Sequence, residues 1–238
     1  MAVFDFRWHL RALRSRARWQ RTRDTIAAWL AQAPHGFDDL LLFGASAGWM
    51  MDDAFLSRFR RIDAVDFEWA AAPLFRLRHA RVIREHRIEV RFHRVEALSG
   101  LEQMLALRPR ALVLFDNVLG QYTLTCRDIL RAERTLDGLK SRLRGRTWGS
   151  VHDAISGPGR RLALHEEPPA IQLAAGTPWP DQRLTDQVAG RDTWRDHLTR
   201  TVLPAQVPSV LIAWQLTPGY WHWLQAGWSA EGPAAPAR

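Results

Sequence analysis

Residues 38–51 read Asp-Asp-Leu-Leu-Leu-Phe-Gly-Ala-Ser-Ala-Gly-Trp-Met-Met, and the fold is decided there. The apolar run 40–43 is long enough for a buried strand and too short for a helix. Gly44-Ala45-Ser46-Ala47-Gly48 follows as a turn of small residues, and Trp49-Met50-Met51 opens a run compatible with a helix. Strand, small-residue turn and helix form the unit with which α/β folds hold a ligand over a helix N-terminus. Small residues let the backbone approach the ligand, and the free amides expected there favour a negative group. Ser46 fits the turn with ordinary backbone angles, whereas a positive φ would strain it.

Outward from this stretch, five strands alternate with helices. A helix is expected over 49–59, and 62–66 reads as a second strand ending in Asp66. Pro73 lies near the start of a helix over 74–85. Ile88, Val90 and Phe92 alternate with Glu89, Arg91 and His93, the period of a third strand. A helix over 101–107 stops at Pro109, and 111–115 is a fourth, wholly apolar strand. A long helix over 124–144 and a fifth strand over 148–155 complete the alternation. Residues 160–190 are rich in Pro, Gly, Gln and Asp and read as a long loop. A helix is expected over 193–203, then two strands, 210–216 and 220–227, joined by Thr217-Pro218-Gly219 as antiparallel neighbours.

This pattern predicts an α/β fold: a doubly wound, mostly parallel Rossmann-like sheet closed by a C-terminal antiparallel hairpin. An N-terminal helical extension over 1–36 precedes the main domain, 37–228. Within it, 160–203 is a variable loop or lid region, and 229–238 is expected to be a disordered tail. The extension carries seven arginines among Trp8, Leu10, Leu13, Trp19, Ile26, Trp29 and Leu30. It reads as a helix packed on the sheet with its arginines in water; a grip on nucleic acid is the rival reading.

The 238-residue chain is long enough for one such domain with a modest extension. Its net charge of +8 suggests anionic partners, yet Lys140 is the sole lysine, so the arginine content reflects base composition as readily as nucleic-acid binding. Cys126 stands alone, which excludes a disulfide framework and a cysteine zinc site. His79, His86 and His93 are evenly spaced, but the chain between them passes from helix to strand, so no metal site is expected. No apolar run approaches about 18 residues, and a signal-peptide core is missing from the Arg-rich start, so a cytoplasmic protein without a membrane span is expected.

Ligands in doubly wound sheets bind beyond the carboxyl ends of the strands, where the strand order reverses. The candidates are therefore 44–48, Asp66, Glu96, 116–121 and His152-Asp153. Asp66 lies about 20 residues past the turn, the distance that one helix and one strand require, and a carboxylate there suits the paired hydroxyls of a ribose.

Taken in order over 40–158, these residues resemble the class I S-adenosylmethionine-dependent methyltransferases. Gly44, Ala45, Ser46 and Gly48 match that family's glycine-rich first loop, which wraps the methionine part of the cofactor. Its middle glycine is Ser46 here, and Leu42 replaces an acid often found within the first strand. Asp66 matches the acid that binds the ribose hydroxyls, and Glu96 with Ala97 the segment beside the adenine. Asp116 and Asn117 open the loop that faces the methyl group. The resemblance implies S-adenosyl-L-methionine as cofactor and an unidentified methyl acceptor as partner. His152 is the candidate acceptor of a proton from the substrate nucleophile, or Asp153 orients that nucleophile; a strand-end pair binding the 156–157 turn is the alternative. A non-catalytic S-adenosylmethionine-binding regulator or complex subunit would carry the same motifs.

Two other chemistries compete. A dinucleotide fingerprint would place glycines where Ser46 and Trp49 stand. Gly44-Ala45-Ser46-Ala47-Gly48 also spells G-x-S-x-G, the nucleophile elbow of serine hydrolases, but no glycine-rich segment upstream supplies a second oxyanion donor. Trp214, Trp221, Trp223 and Trp228 are expected to cover the hairpin, with an aromatic substrate wall as the rival reading.

Overall fold

A computed structural model describes residues 6–190 and 193–230. In chain order its elements are α1 (Phe6–Arg14), α2 (Gln20–Leu30), β1 (Asp39–Phe43), α3 (Asp53–Leu56), β2 (Arg61–Val65), α4 (Ala71–Arg78), α5 (Ala80–Glu85) and β3 (Glu89–His93). Then come α6 (Leu101–Leu107), β4 (Leu112–Asp116), α7 (Val118–Thr125), α8 (Ile129–Asp137), α9 (Leu139–Arg142) and β5 (Thr147–Pro158). The last part holds β6 (Ile171–Leu173), α10 (Asp181–Gln187), β7 (Arg195–Asp196), β8 (Ser209–Thr217) and β9 (Tyr220–Ala230).

One sheet carries the strands in the order β3-β2-β1-β4-β5-β9-β8-β6, with β7 paired to β5. The first five are parallel, and β9, β8 and β6 run antiparallel to their neighbours. This is the doubly wound, hairpin-closed sheet that the sequence predicts. The order reverses between β1 and β4, whose carboxyl ends are level because Phe43 pairs with both Val65 and Phe115.

Successive side chains on a strand face opposite ways, so each strand feeds two cores. Leu40, Leu42, Ile62, Ala64, Leu112 and Leu114 pack under α1 to α5 with Trp19, Ile26, Leu30, Phe55, Phe75 and Val82. Leu41, Phe43, Val113 and Phe115 face the other way onto Leu101, Met104 and Leu105 of α6, with Leu136 and Leu139. A third, smaller core joins Leu184 and Val188 to Ile171, Leu173, Trp221 and Trp223 at the hairpin end.

Several elements differ from expectation. The helix over 49–59 shrinks to the single turn α3, because Gly48 turns left-handed (φ 63°) and Asp52 caps the chain by accepting from Phe55 N at 2.8 Å. The helix over 74–85 breaks at His79 into α4 and α5. The 124–144 helix starts earlier, at Val118, and is interrupted by the extended Cys126 and by Gly138. No helix covers 193–203. Arg195 and Asp196 instead pair with Ser156 and Ile155 of β5, so Asp196 and His197 do not lie on a late helix. The 160–190 region contains β6 and α10 rather than loop alone. Ser229 and Ala230 belong to β9, and the rest of the expected tail, 231–238, lies outside the described residues.

Among the described residues the N-terminal extension forms two helices, and residues 1–5 of it lie outside them. The second lies on the hairpin through Thr22 Oγ1, which donates to Ala213 O at 3.0 Å, and through Trp19 Nε1, which donates to Leu216 O at 3.2 Å. Among the described residues, no helix is long and apolar enough to cross a membrane.

Candidate functional site

Beyond the carboxyl ends of β1, β2, β4 and β5 lies a cavity of about 600 Å³, roofed by Trp8 and Ile26 of the N-terminal helices. A volume of this size suits a small-molecule ligand. Gly44, Ser46, Asp66, Glu96, Ala97, Asp116, Asn117 and Asp153 all line it. Ala45, Gly48 and His152 do not.

The β1 turn is pinned to β2. Gly44 N donates to Val65 O at 2.9 Å, and Ser46 N donates to Asp66 Oδ2 at 2.7 Å. Gly48 N donates to Ala45 O. These amides are engaged, and α3 begins five residues past Gly48, so the turn offers no helix N-terminus to an anion. That corrects the expectation of an anion-favouring bend. Ser46 adopts φ 45°, the conformation in which a side chain is strained, and the Asp66 carboxylate holds it there. Gly44 has φ 76°, and a Cβ on it would lie 2.6 Å from Asp116 O and 2.8 Å from Val118 Cβ. The backbone there is open to the cleft because nothing larger fits. Gly48 packs away from the cleft, against His79 and Phe75.

Asp66 Oδ1 accepts a second amide, Glu68 N, at 2.9 Å. Two carboxylate oxygens offer about four acceptor positions, so about two remain for a ligand's hydroxyls. Burial raises the Asp66 pKa, against the lowering by its two amide donors. Asp116 is pushed further, up to about 7, by burial and by repulsion from Asp66. Glu96 accepts from Leu98 N at 3.0 Å and Ser99 N at 2.8 Å, which fixes the entry to α6 and sets Ala97 against the cleft.

Across the cavity, Asn117 is left-handed (φ 51°), a conformation asparagine tolerates better than most residues. Its backbone N donates to Val151 O at 2.7 Å. Its amide clasps Asp153 at both ends: Oδ1 accepts from Asp153 N at 2.9 Å, and Nδ2 donates to Asp153 Oδ2 at 3.2 Å. Asp153 Oδ1 accepts from His222 Nδ1 at 2.8 Å. Burial alone would raise the Asp153 pKa, but attraction and hydrogen bonding from His222, helped by Asn117, hold it below its ordinary value.

His152 is corrected by the alternation of β5. Val151 and Asp153 face the cleft, whereas His152 faces the opposite side, fully buried, with Nδ1 2.8 Å from Ser150 Oγ. Burial depresses its pKa to about 4. It cannot reach a ligand in the cavity. His222, on β9, is the histidine the cavity does contain. Of the four hairpin tryptophans, only Trp214 lines the cleft; Trp221 and Trp223 belong to the third core, and Trp228 stacks on Trp29 at 4.7 Å.

The lining sorts the competing chemistries. Asp66, Glu68, Glu96, Asp116 and Asp153 face a cavity whose basic lining residues are Arg94 and His222. A pyrophosphate would meet these carboxylates, which disfavours a dinucleotide. Ser46 Oγ is buried with no hydrogen-bond partner among the described residues, so no histidine activates it as a hydrolase nucleophile. Among the described residues, no three His, Cys, Asp or Glu side chains are grouped to hold a metal ion, and His93 pairs with Asp63 at 2.6 Å.

No protein-family model matches the chain, and no curated protein matches it. Solved structures of similar chain path include the N-methyltransferase NodS from Bradyrhizobium japonicum WM9, at 14% identity and TM-score 0.46, covering 90% of this chain and 98% of that one. Magnesium protoporphyrin IX methyltransferase (ChlM) from Synechocystis PCC 6803, with bound S-adenosylhomocysteine, shows 15% identity and TM-score 0.45 over 87% of this chain and 82% of that one. Cofactor-bound Rv0187 from MTB shows 15% identity and TM-score 0.42, over 98% and 94%. These are likenesses of fold.

Proposed function

We propose that the protein is an S-adenosylmethionine-dependent methyltransferase. The observation that carries this reading is an acidic cleft at the β1/β4 reversal, with Asp66 presenting spare acceptor positions beside the bare backbone of Gly44. A nucleoside that carries cationic groups fits such a cleft, and one that carries phosphates does not.

In this reading Asp66 receives the ribose hydroxyls, and Glu96 and Ala97 flank the base. Gly44 and Ser46 give the methionine part room against the backbone, and Asp116 faces its positive charge. When bound, the sulfonium supplies an electrophilic methyl group. Asn117 contributes by fixing Asp153 at the opposite wall, where the methyl acceptor would enter. Holding two reactants together in one cleft supplies much of the acceleration such a transfer needs.

The test is a thermal-shift comparison of S-adenosylmethionine, S-adenosylhomocysteine and NAD. A ligand at 100 times its dissociation constant stabilises by about 2.7 kcal/mol. Stabilisation by the first two and not by NAD is expected; stabilisation by NAD alone overturns the reading. Asp66→Ala should weaken S-adenosylmethionine by on the order of tenfold to a few hundredfold in a calorimetric titration, since each hydrogen bond to a charged group contributes roughly 1.5–3 kcal/mol. Unchanged affinity would remove Asp66 from the site.

A further inference from the structure

Seven of the eleven large apolar side chains that stay exposed among the described residues stand around the mouth of the cleft. Phe67 and Trp69 follow β2, flank Glu68 and line the opening, each about half exposed. Leu124, at the end of α7, lines it from the side of β4. Ile129 and Leu130 open α8, which carries the chain back toward the amino end of β5, so they too stand at the carboxyl-end face of the sheet. Leu10 and Leu13 lie on α1, which is tied to the same rim. His9 Nε2 is 3.1 Å from Glu68 Oε1, and Trp49 Nε1 donates to His9 Nδ1 at 3.1 Å. Single exposed apolar residues are ordinary on a protein surface; a ring of them around one opening marks a contact surface.

Charge on this face has one sign. In α1, Trp8 and Ala12 face inward, Trp8 against Trp19 and Trp214. The outer face of the helix therefore carries Leu10 and Leu13 together with Arg11 and Arg14. Arg127 and Arg131 are exposed beside Leu124, Ile129 and Leu130. None of these four arginines makes an ion pair among the described residues. Arg94 Nε donates to Phe67 O at 3.2 Å, which holds a fifth guanidinium on the rim. On α8 and its approach the opposing charges nearby are Asp128, which caps the helix by accepting from Arg131 N at 3.0 Å, and Glu133.

Arginines with bulky apolar side chains between them match a bilayer with acidic headgroups, which accepts both kinds of group at once. Two copies of this face would set five guanidiniums against five, which opposes a symmetric pair. A nucleic acid would pair its phosphates with the arginines and leave leucine and isoleucine against a polar backbone. We propose that the protein docks on acidic lipid bilayers by this face, the apolar ring entering the headgroup layer and the arginines meeting lipid phosphates. The cleft then opens toward the lipid surface. Docking of this kind holds whatever ligand fills the cleft.

The experiment is co-sedimentation of the full chain with vesicles of pure phosphatidylcholine and of phosphatidylcholine containing about one third phosphatidylglycerol. Binding to the acidic vesicles alone is expected. Arg11→Gln with Arg14→Gln should weaken it about thirtyfold, at about fivefold for each charge beside an acidic surface. Leu10→Ser with Leu13→Ser keeps every charge and should weaken it by about tenfold or more. All four side chains are exposed, so neither pair should shift the melting temperature appreciably. Should a pair fail to fold, the wild type bound to acidic vesicles that carry brominated acyl chains gives a second readout. Its tryptophan fluorescence should be quenched, and Trp69→Phe should remove much of the quenching. Absence of binding to either vesicle, binding that the leucine pair leaves unchanged, or fluorescence that brominated lipid does not quench overturns the proposal. So does a DNA duplex that binds as tightly as the acidic vesicles, or a dimer in light scattering that Leu10→Ser with Leu13→Ser dissolves, since either assigns the face to another partner.

Discussion

Replacing Asp116 by Asn removes a buried charge without changing the size of the side chain. Asp116 is 9% exposed and makes no side-chain hydrogen bond among the described residues, while Asp66 repels it across the cleft. Burial and that repulsion raise its pKa from an ordinary 3.8 to about 7. Between those two values the folded protein keeps a proton that the unfolded chain has released. The folded state binds more protons, so stability falls as pH rises through this window and is level above it. At 1.36 kcal/mol per pKa unit the full effect is on the order of 4 kcal/mol, and relaxation of a buried group brings the expected value to about 2–4 kcal/mol. Asp116→Asn should therefore match the wild type near pH 4 and exceed it by that amount at pH 8. Urea unfolding at pH steps from 4 to 8 measures the difference directly. A constant offset between the two proteins across the range would refute the reasoning, because a pH-independent change is one of packing and not of charge.

Three further substitutions test the frame around the cleft. Ser46→Gly relieves the left-handed strain at φ 45° and removes a buried, unpaired hydroxyl, so it should stabilise by about 1 kcal/mol in urea unfolding; destabilisation would mean the hydroxyl has a partner in solution. Asp63 is fully buried on β2 and accepts from Arg108 Nε at 2.6 Å, so Asp63→Ala, which strands that guanidinium, should cost about 3–5 kcal/mol. A Cβ on Gly120 would meet Asp153 Cβ at 2.6 Å and the Asp153 backbone O at 2.7 Å. Gly120→Ala should thus destabilise by about 1–3 kcal/mol or more and displace the Asp153–His222 pair, read as a shifted histidine signal in NMR.

The sheet was legible in the sequence because its central strands are buried on both faces. Such strands leave unbroken apolar runs, as at 40–43 and 111–115. Helix lengths were less legible, because local hydrogen bonds set them. Asp52 caps a helix four residues beyond Gly48, and His79 ends α4 where its ring turns toward Gly48 O at 3.3 Å. Residues 193–203 carry Trp194, Leu198 and Val202 at helical spacing, yet a short pairing with β5 prevails there. The β1–β4 side of the cleft was readable because its residues follow directly on strands. The hairpin side was not. His222 meets a carboxylate 69 positions away, and a register shift between Asp153 and Ile155 hides which hairpin residue comes opposite. One signal was present: His222 shares the parity of Leu224 and Ala226, which face the same side of β9.

Three carboxylates line this cleft, and their different partners show which charge is left for a ligand. Asp66 is offset by two amides, and Asp153 by an imidazole and an amide side chain. Asp116 has neither, and it alone is raised to about 7. A charge whose burial is uncompensated in the empty protein is compensated by whatever cation enters beside it. Binding of a cation must then lower the Asp116 pKa and release a proton near neutrality, and its affinity must rise with pH through the same window in which the empty protein loses stability. The destabilisation of the ligand-free fold and the attraction for a cationic ligand are thus one interaction, measured once without the ligand and once with it.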